Sequence, residues 1–332
     1  MKKIIDTPLV VCVLVAMLLC GAVAAADFGP ALSEAMKSLS ISKGDPDLLV
    51  LTNAPYIRVS GACALPYLAE VEDATGCSVG KGNLLFFQRP QDHPLRVQIF
   101  KKTNGDAVIL SLKDGEAMIE KLNMKADAIA APAFWEKAKE LEAGKDLFTL
   151  AALANVWANG GPYDFLKSAE LHNHICPGLT SGYLMARYIL NTYPLKKGQR
   201  YTMIACPVWC KEDAFQVILD CTSGKKGLFA KQLSDAQKEK ITVANPAGLL
   251  LIWDAGAKTG KGIALSFDFD RLRACSPRDA PKAAMVPAAL DHLDKPERFV
   301  SSAAEFDLDN ERYQAMIQAG SNPYEVAGLT KE

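Results

Sequence analysis

Part of this chain is written twice, and a repeat restricts a fold more tightly than composition does. Gly76-Cys77-Ser78-Val79-Gly80-Lys81-Gly82-Asn83-Leu84 has a counterpart in Asp220-Cys221-Thr222-Ser223-Gly224-Lys225-Lys226-Gly227-Leu228. Downstream of the first copy, Val97-Gln98-Ile99-Phe100 leads through a Lys-Lys-Thr-Asn-Gly turn to Ala107-Val108-Ile109-Leu110-Ser111-Leu112. Downstream of the second, Leu250-Leu251-Ile252-Trp253 is followed by Lys258-Thr259-Gly260-Lys261 and then Ile263-Ala264-Leu265-Ser266-Phe267. Each later piece is a pair of β-rich runs around a Gly-containing turn, the pattern of a hairpin. Two copies in the same order argue for duplicated modules, against the alternative that two turn-rich hairpins resemble each other by chance.

Between the copies the pattern is helical. Phe134 to Leu141 and Leu147 to Val156 read as helices, broken by Asn159-Gly160-Gly161-Pro162. Leu179 to Leu190 is an apolar-rich helix just after Pro177-Gly178, and Phe215 to Leu219 lies on a short helix or turn. The stretch from Ser276 is Pro-rich and polar, with a helix expected near Ala303 to Ala319. Helices mixed with hairpins predict an α+β fold, not a regular alternating parallel sheet.

The N-terminus reads as a cleaved signal peptide. Lys2 and Lys3 precede an unbroken apolar run from Leu9 to Leu19, and the small residues Ala22-Val23-Ala24-Ala25-Ala26 suit a signal peptidase. The run is shorter than the ~20 residues of a comfortable membrane span. Leu18-Leu19-Cys20 loosely resembles a lipobox, but the residue before the cysteine should be small and Leu19 is not. The expectation is an exported, periplasmic protein whose mature chain has no transmembrane segment. A net charge of −1 offers no case for a nucleic-acid partner, and a hydrophobic fraction of 49% is ample for packed cores. Function has to be sought in local sites.

The richest of these is His172-Asn173-His174-Ile175-Cys176-Pro177-Gly178, which holds two of the four histidines. Residues two apart project to one face of an extended segment, so both imidazoles and the Cys176 thiol are expected to converge. Neutral imidazole and thiolate are the ligands favoured by zinc and neighbouring transition metals. Pro177-Gly178 turns the chain into a helix whose positive N-terminal end favours the Cys176 thiolate. A capping histidine, a packed histidine and a buried cysteine would explain these residues one at a time. Three potential ligands within five positions favour a metal.

A fourth ligand is sought in Cys206-Pro207-Val208-Trp209-Cys210, one residue longer than a Cys-x-x-Cys redox motif. Asp213 follows, either as a ligand or as the acceptor that holds a ligand histidine. Cys206 and Cys221 read equally well as small buried residues. Once Cys12 and Cys20 leave with the signal peptide, Cys63, Cys77, Cys176, Cys206, Cys210, Cys221 and Cys275 remain, an odd set for a protein bound for an oxidising space. The Gly-Lys turns at 80–83 and 224–227 lack the spacing of a nucleotide-phosphate loop and read as turns between helix and strand.

These motifs resemble the FmdE-like family of metal-binding domain proteins, named for formylmethanofuran dehydrogenase. Its pattern is His-x-His-x-Cys-Pro-Gly leading into a Gly-containing helix, then Cys-x-x-Asp-Ala-x-Gln, then Thr-Gly-Cys-Thr-x-Gly-Lys. His172, His174, Cys176, Pro177, Gly178 and Gly182 fit the first block. Cys210, Asp213, Ala214, Gln216, Cys221, Thr222, Gly224 and Lys225 fit the later ones, with Leu219-Asp220 in place of Thr-Gly. The first module keeps Thr75-Gly76-Cys77-Ser78 and Gly80-Lys81-Gly82 but has Pro66 and Ala69 where Cys210 and Asp213 align, and Cys63 is out of register. The resemblance implies an α+β protein of two related modules, helices packed on antiparallel sheet, paired as an internal pseudo-dimer. The expected division is a signal peptide at 1–26, a degenerate FmdE-like module at 27–130, a helical linker at 131–162, a metal-competent module at 163–275 and a C-terminal extension at 276–332.

The resemblance implies a metal centre on His172, His174, Cys176 and Cys210, with zinc the expected ion and nickel or another transition metal the alternative. It does not imply formylmethanofuran oxidation, because nothing here signals a catalytic partner bearing molybdenum or tungsten. The leading expectation is a metal or cofactor carrier that meets a metal ion, a small ligand or a partner protein. A metal-dependent enzyme with an open zinc–water position, using Asp213 or Glu170 as base, is the alternative. Thiol redox chemistry through Cys206 and Cys210 is a third.

Overall fold

A computed structural model describes residues 28–113, 115–276 and 290–332. The signal-peptide stretch and the first part of the C-terminal segment lie outside the described residues. The first module begins with α1 (Gly29–Ser38) and β1 (Leu48–Thr52), followed by the small hairpin β2 (Arg58–Val59) and β3 (Ala62–Cys63). It continues with α2 (Tyr67–Thr75), β4 (Leu84–Phe86), β5 (Leu95–Lys101), β6 (Asp106–Lys113) and β7 (Glu116–Asn123). Helices α3 (Ala126–Ala130), α4 (Pro132–Ala138), α5 (Leu147–Ala158) and α6 (Tyr163–His172) follow. The second module comprises α7 (Pro177–Thr192), β8 (Gln199–Ala205), α8 (Lys211–Ile218), β9 (Leu228–Ala230), α9 (Asp235–Glu239), β10 (Pro246–Asp254), β11 (Thr259–Phe267), α10 (Phe269–Arg273) and β12 (Val300–Leu308). Helices α11 (Asn310–Ile317) and α12 (Pro323–Val326) close the chain.

The strand orders of the two five-stranded sheets are β4-β1-β5-β6-β7 and β9-β8-β10-β11-β12. They are the same order written with equivalent strands, and the pairing directions match as well. β1 runs parallel to β4 as β8 runs parallel to β9, and every other pair is antiparallel. The α+β class and the two hairpins stand as expected. The expected antiparallel pairing holds for three of the four pairs in each sheet, and one short parallel edge strand makes each sheet mixed. A second departure concerns Ala303 to Ala319: Val300–Leu308 is a strand paired with β11, and the helix starts only at Asn310.

The inner strands of each sheet are buried on both faces, while the edge strands β7 and β12 are largely exposed. In β1 all five residues are buried, with Leu48 and Val50 packing beside α1 and α2, and Leu49 and Leu51 on the other side. That other side joins one large core with α5, α6, α7, α8 and one face of the second sheet, through residues such as Met203, Leu250, Ile252 and Leu265. Helix α5 sits inside this core and is apolar on nearly every side, with its buried Thr149 and Asn155 hydrogen-bonded to backbone carbonyls. Helices α11 and α12 cover the far face of the second sheet, against Leu249, Leu251 and Trp253.

The faces that meet in the central core are not equivalent. The first module turns its α2 side outward and the second turns its α8 side inward. The two modules pack on one shared core, as an internal pair should, but through unlike faces, so that they follow one another in the same sense.

Candidate metal centre

Helix α6 ends at His172, and Asn173 adopts a left-handed conformation at φ 67°. Asn tolerates this region better than most residues because its short polar side chain bonds locally. The turn is pinned from both sides. The Asn173 side-chain oxygen accepts the Gln88 N–H at 2.9 Å, and its carbonyl accepts the Thr149 hydroxyl at 2.7 Å. The two histidines therefore meet across a helix terminus, where an extended segment was expected. Their ring centroids are 4.3 Å apart, and His174 also leans on Phe148 at 5.4 Å.

Cys176 is the N-cap of α7, and its Sγ accepts the Leu179 N–H at 3.4 Å. Cys210 stands at the N-cap of α8. The two helix starts are brought together by two glycines. A Cβ on Gly178 would lie 2.8 Å from Cys210 Cβ and 3.6 Å from Cys176 Sγ, so the space beside the thiols exists only for glycine. A Cβ on Gly182 would lie 2.2 Å from the Lys211 carbonyl oxygen, so that glycine sets how closely α7 and α8 cross.

His172, Cys176 and Cys210 offer ligand atoms that all lie within 4.8 Å of one another. His172 Nε2 faces Cys176 Sγ at 3.6 Å, and Nδ1 meets Asp213 Oδ2 at 2.7 Å. Gln216 donates to the other Asp213 oxygen at 3.0 Å. One nitrogen of the ring is thereby committed to a carboxylate and the other is left for a metal, the usual arrangement around a ligating histidine. One imidazole and two thiols form a donor set suited to a borderline or soft transition-metal ion. His174 lies outside the three-residue group, but its ring sits against His172, and it is among the groups that lower the Cys176 thiol.

The electrostatics follow from these contacts. Burial works against a charge on Cys176, but hydrogen bonds from His172 and His174 and the Leu179 N–H outweigh it and bring the thiol down to about 5. Burial likewise opposes a charge on His172, yet Asp213 and the Cys176 sulfur raise it to about 9. Cys210 is pushed up to about 11 by burial and by the neighbouring Cys176 charge. These contacts favour a thiolate on Cys176 facing an imidazolium on His172, beside a protonated Cys210 thiol.

The remaining residues sort cleanly. Cys221 is buried and pushed up to about 12, and Cys206 is buried and pushed up to about 11, so both behave as small core residues. Cys206 packs on the far face of the second sheet while Cys210 borders the central core, and neither forms a disulfide. Glu170 does not reach the site: its carboxylate accepts the Phe86 N–H at 3.0 Å and pairs with Lys167 at 2.7 Å. Asn173 and Phe148 were not foreseen, since a lone Asn between histidines and a phenylalanine on a buried helix carry no signal in the sequence.

In the first module the matching positions carry no ligands. Pro66 is the N-cap of α2 as Cys210 is of α8, and Ala69 takes the place of Asp213. Asp220 adopts φ 56° where the first module has Gly76 at φ 69°, so the turn before Cys221 keeps its shape despite the Leu-Asp replacement.

Residues 171–306 match the FmdE family. Its description reads FmdE, Molybdenum formylmethanofuran dehydrogenase operon, and the matched stretch opens beside His172 and ends within β12. It contains His172, Cys176 and Cys210, and the first sheet lies outside it. No curated protein matches the chain.

Proposed function

We propose that the chain is an exported, periplasmic zinc-binding protein that carries its metal, or a small ligand held on it, to a partner. The observation behind this reading is the convergence of His172, Cys176 and Cys210 within 4.8 Å, with Asp213 fixing the His172 ring. His174 completes the set as fourth ligand, from its place beside His172 and Cys176. Bound here, the ion would supply a Lewis-acidic centre. The chain's own residues do the preparation: Asp213 keeps His172 Nε2 turned to the site, the start of α7 holds Cys176 as thiolate, and Cys210 gives up its proton on binding. Export rests on the sequence from Lys2 to Ala26, and no helix among the described residues is long and apolar enough to cross a membrane. A tandem origin, with the first module degenerate, is supported by the matching strand orders and by Pro66 and Ala69 at the ligand positions.

Elemental analysis of the purified mature protein should find about one metal per chain. His172→Ala and Cys176→Ala should each abolish it, and full retention in those variants would sink the assignment. A second reading, a metal-dependent enzyme, is favoured by the fact that only three ligand atoms among the described residues gather tightly, which leaves a coordination position for water. Cobalt-substituted protein separates the two. An azide-sensitive spectrum means an open position, and an unresponsive one means a closed carrier site.

A further inference from the structure

A second concavity, of about 760 Å³, opens beside the loop at Asp92–His93, the end of β6, helix α4 and the turn that precedes α5. None of its lining residues belongs to the metal group. Its volume falls within the range of small-molecule sites.

The charges around it are unevenly spent. Arg96, only 4% exposed, forms the floor and is ion-paired with Glu142 and Asp146, while Arg89 takes the other Asp146 oxygen at 2.5 Å. The Glu120 carboxylate beneath the turn accepts the N–H groups of Glu142 and Ala143 at 2.8 and 3.0 Å. These carboxylates are therefore consumed within the protein. On the rim, Lys139 is paired with Glu136, while Lys113 and Lys145 have no side-chain partner among the described residues, against a single free carboxylate, Asp92. One wall is the Trp135 indole, whose Nε1–H is tied to the Ile129 carbonyl at 2.9 Å, so it presents a flat apolar surface with its polar atom already satisfied. Unspent positive charge around a rigid ring surface is complementary to a ligand with several negative charges and a planar body.

We propose that this cavity binds a small organic polyanion with a flat apolar portion, of the chemical class of the aromatic polycarboxylates. Lys113 and Lys145 meet the carboxylates, Trp135 meets the planar part, and the Arg96–Asp146 network holds the floor in place. The site does not depend on the metal centre.

The test uses the full-length mature protein and naphthalene-2,6-dicarboxylate as probe, followed by calorimetry and by quenching of tryptophan fluorescence. One probe should bind per chain, more weakly as salt is raised. The double variant Lys113→Gln/Lys145→Gln should weaken it about tenfold or more, and Trp135→Phe should remove most of the quenching while leaving a measurable affinity. Lys197→Gln/Lys295→Gln, which removes equal charge elsewhere, should leave affinity unchanged. The proposal is overturned by absence of saturable binding, by equal loss in both double variants, or by binding that survives Lys113→Gln/Lys145→Gln but vanishes in Cys176→Ala. The last outcome would place the probe on the metal. Loss of metal in Cys176→Ala with probe binding intact would support both proposals separately.

Discussion

Asp213 and Gly178 make the site what it is without being ligands. Asp213→Asn keeps an oxygen near His172 Nδ1 but loses the charge, and should lower metal affinity about 10- to 100-fold in a competition titration with a chromophoric chelator. Gly178→Ala would push a methyl group into the Cys210 side chain and should cost metal binding while the far sheet stays folded. Protons give a sharper check. With Cys176 near 5, His172 near 9 and Cys210 near 11, the free protein at neutral pH already holds one thiolate but keeps a proton on each of the other two groups. Metal binding should then release about two protons per ion, measured by calorimetry in buffers of different ionisation enthalpy. The sign is set by His172 and Cys210. Affinity rises as pH climbs toward 9 because His172 gives up its proton beforehand, and it falls further below about 5, where Cys176 must be deprotonated too. The His-x-His-x-Cys spacing made most of this legible in the sequence. It could not show that Cys206 points to another face of the sheet or that Glu170 is spent on β4, because both depend on which strand a side chain leaves and on which side.

At the level of elements, the crossing of α7 and α8 rests on Gly182. Gly182→Ala should destabilise by ~1–3 kcal/mol or more in urea unfolding, since the methyl group has only the Lys211 backbone to push against. Gln98 on β5 makes the opposite prediction. It is fully buried and its amide nitrogen and oxygen find no partner among the described residues. Gln98→Met should raise stability by ~1–3 kcal/mol, the cost of leaving such a group unsatisfied. The hairpins β5–β6 and β10–β11 could be read in advance because long runs of β-formers flank a glycine turn. β4 and β9, three residues each, could not, since so short a run has no period of its own. The stretch from Ala303 to Leu308 reads as the start of a helix for another reason. Ser301-Ser302-Ala303-Ala304-Glu305 has helical local preference, and pairing with β11 overrides it.

Across the whole molecule, one core spans both sheets, so the two modules should not unfold separately. Leu150→Ala, at the buried centre of α5, should cost ~2–5 kcal/mol and move a single urea transition observed alike by circular dichroism and tryptophan fluorescence. Two resolved transitions would show that the modules are independent. Same-sense packing has a further consequence. An arrangement that joins unlike faces need not close after two copies, and a third module could be laid on the second as the second is laid on the first. Helices α11 and α12 occupy the face where that next layer would sit. They cover that face, and deleting them should turn the protein into a species that self-associates with rising concentration, as read by analytical ultracentrifugation.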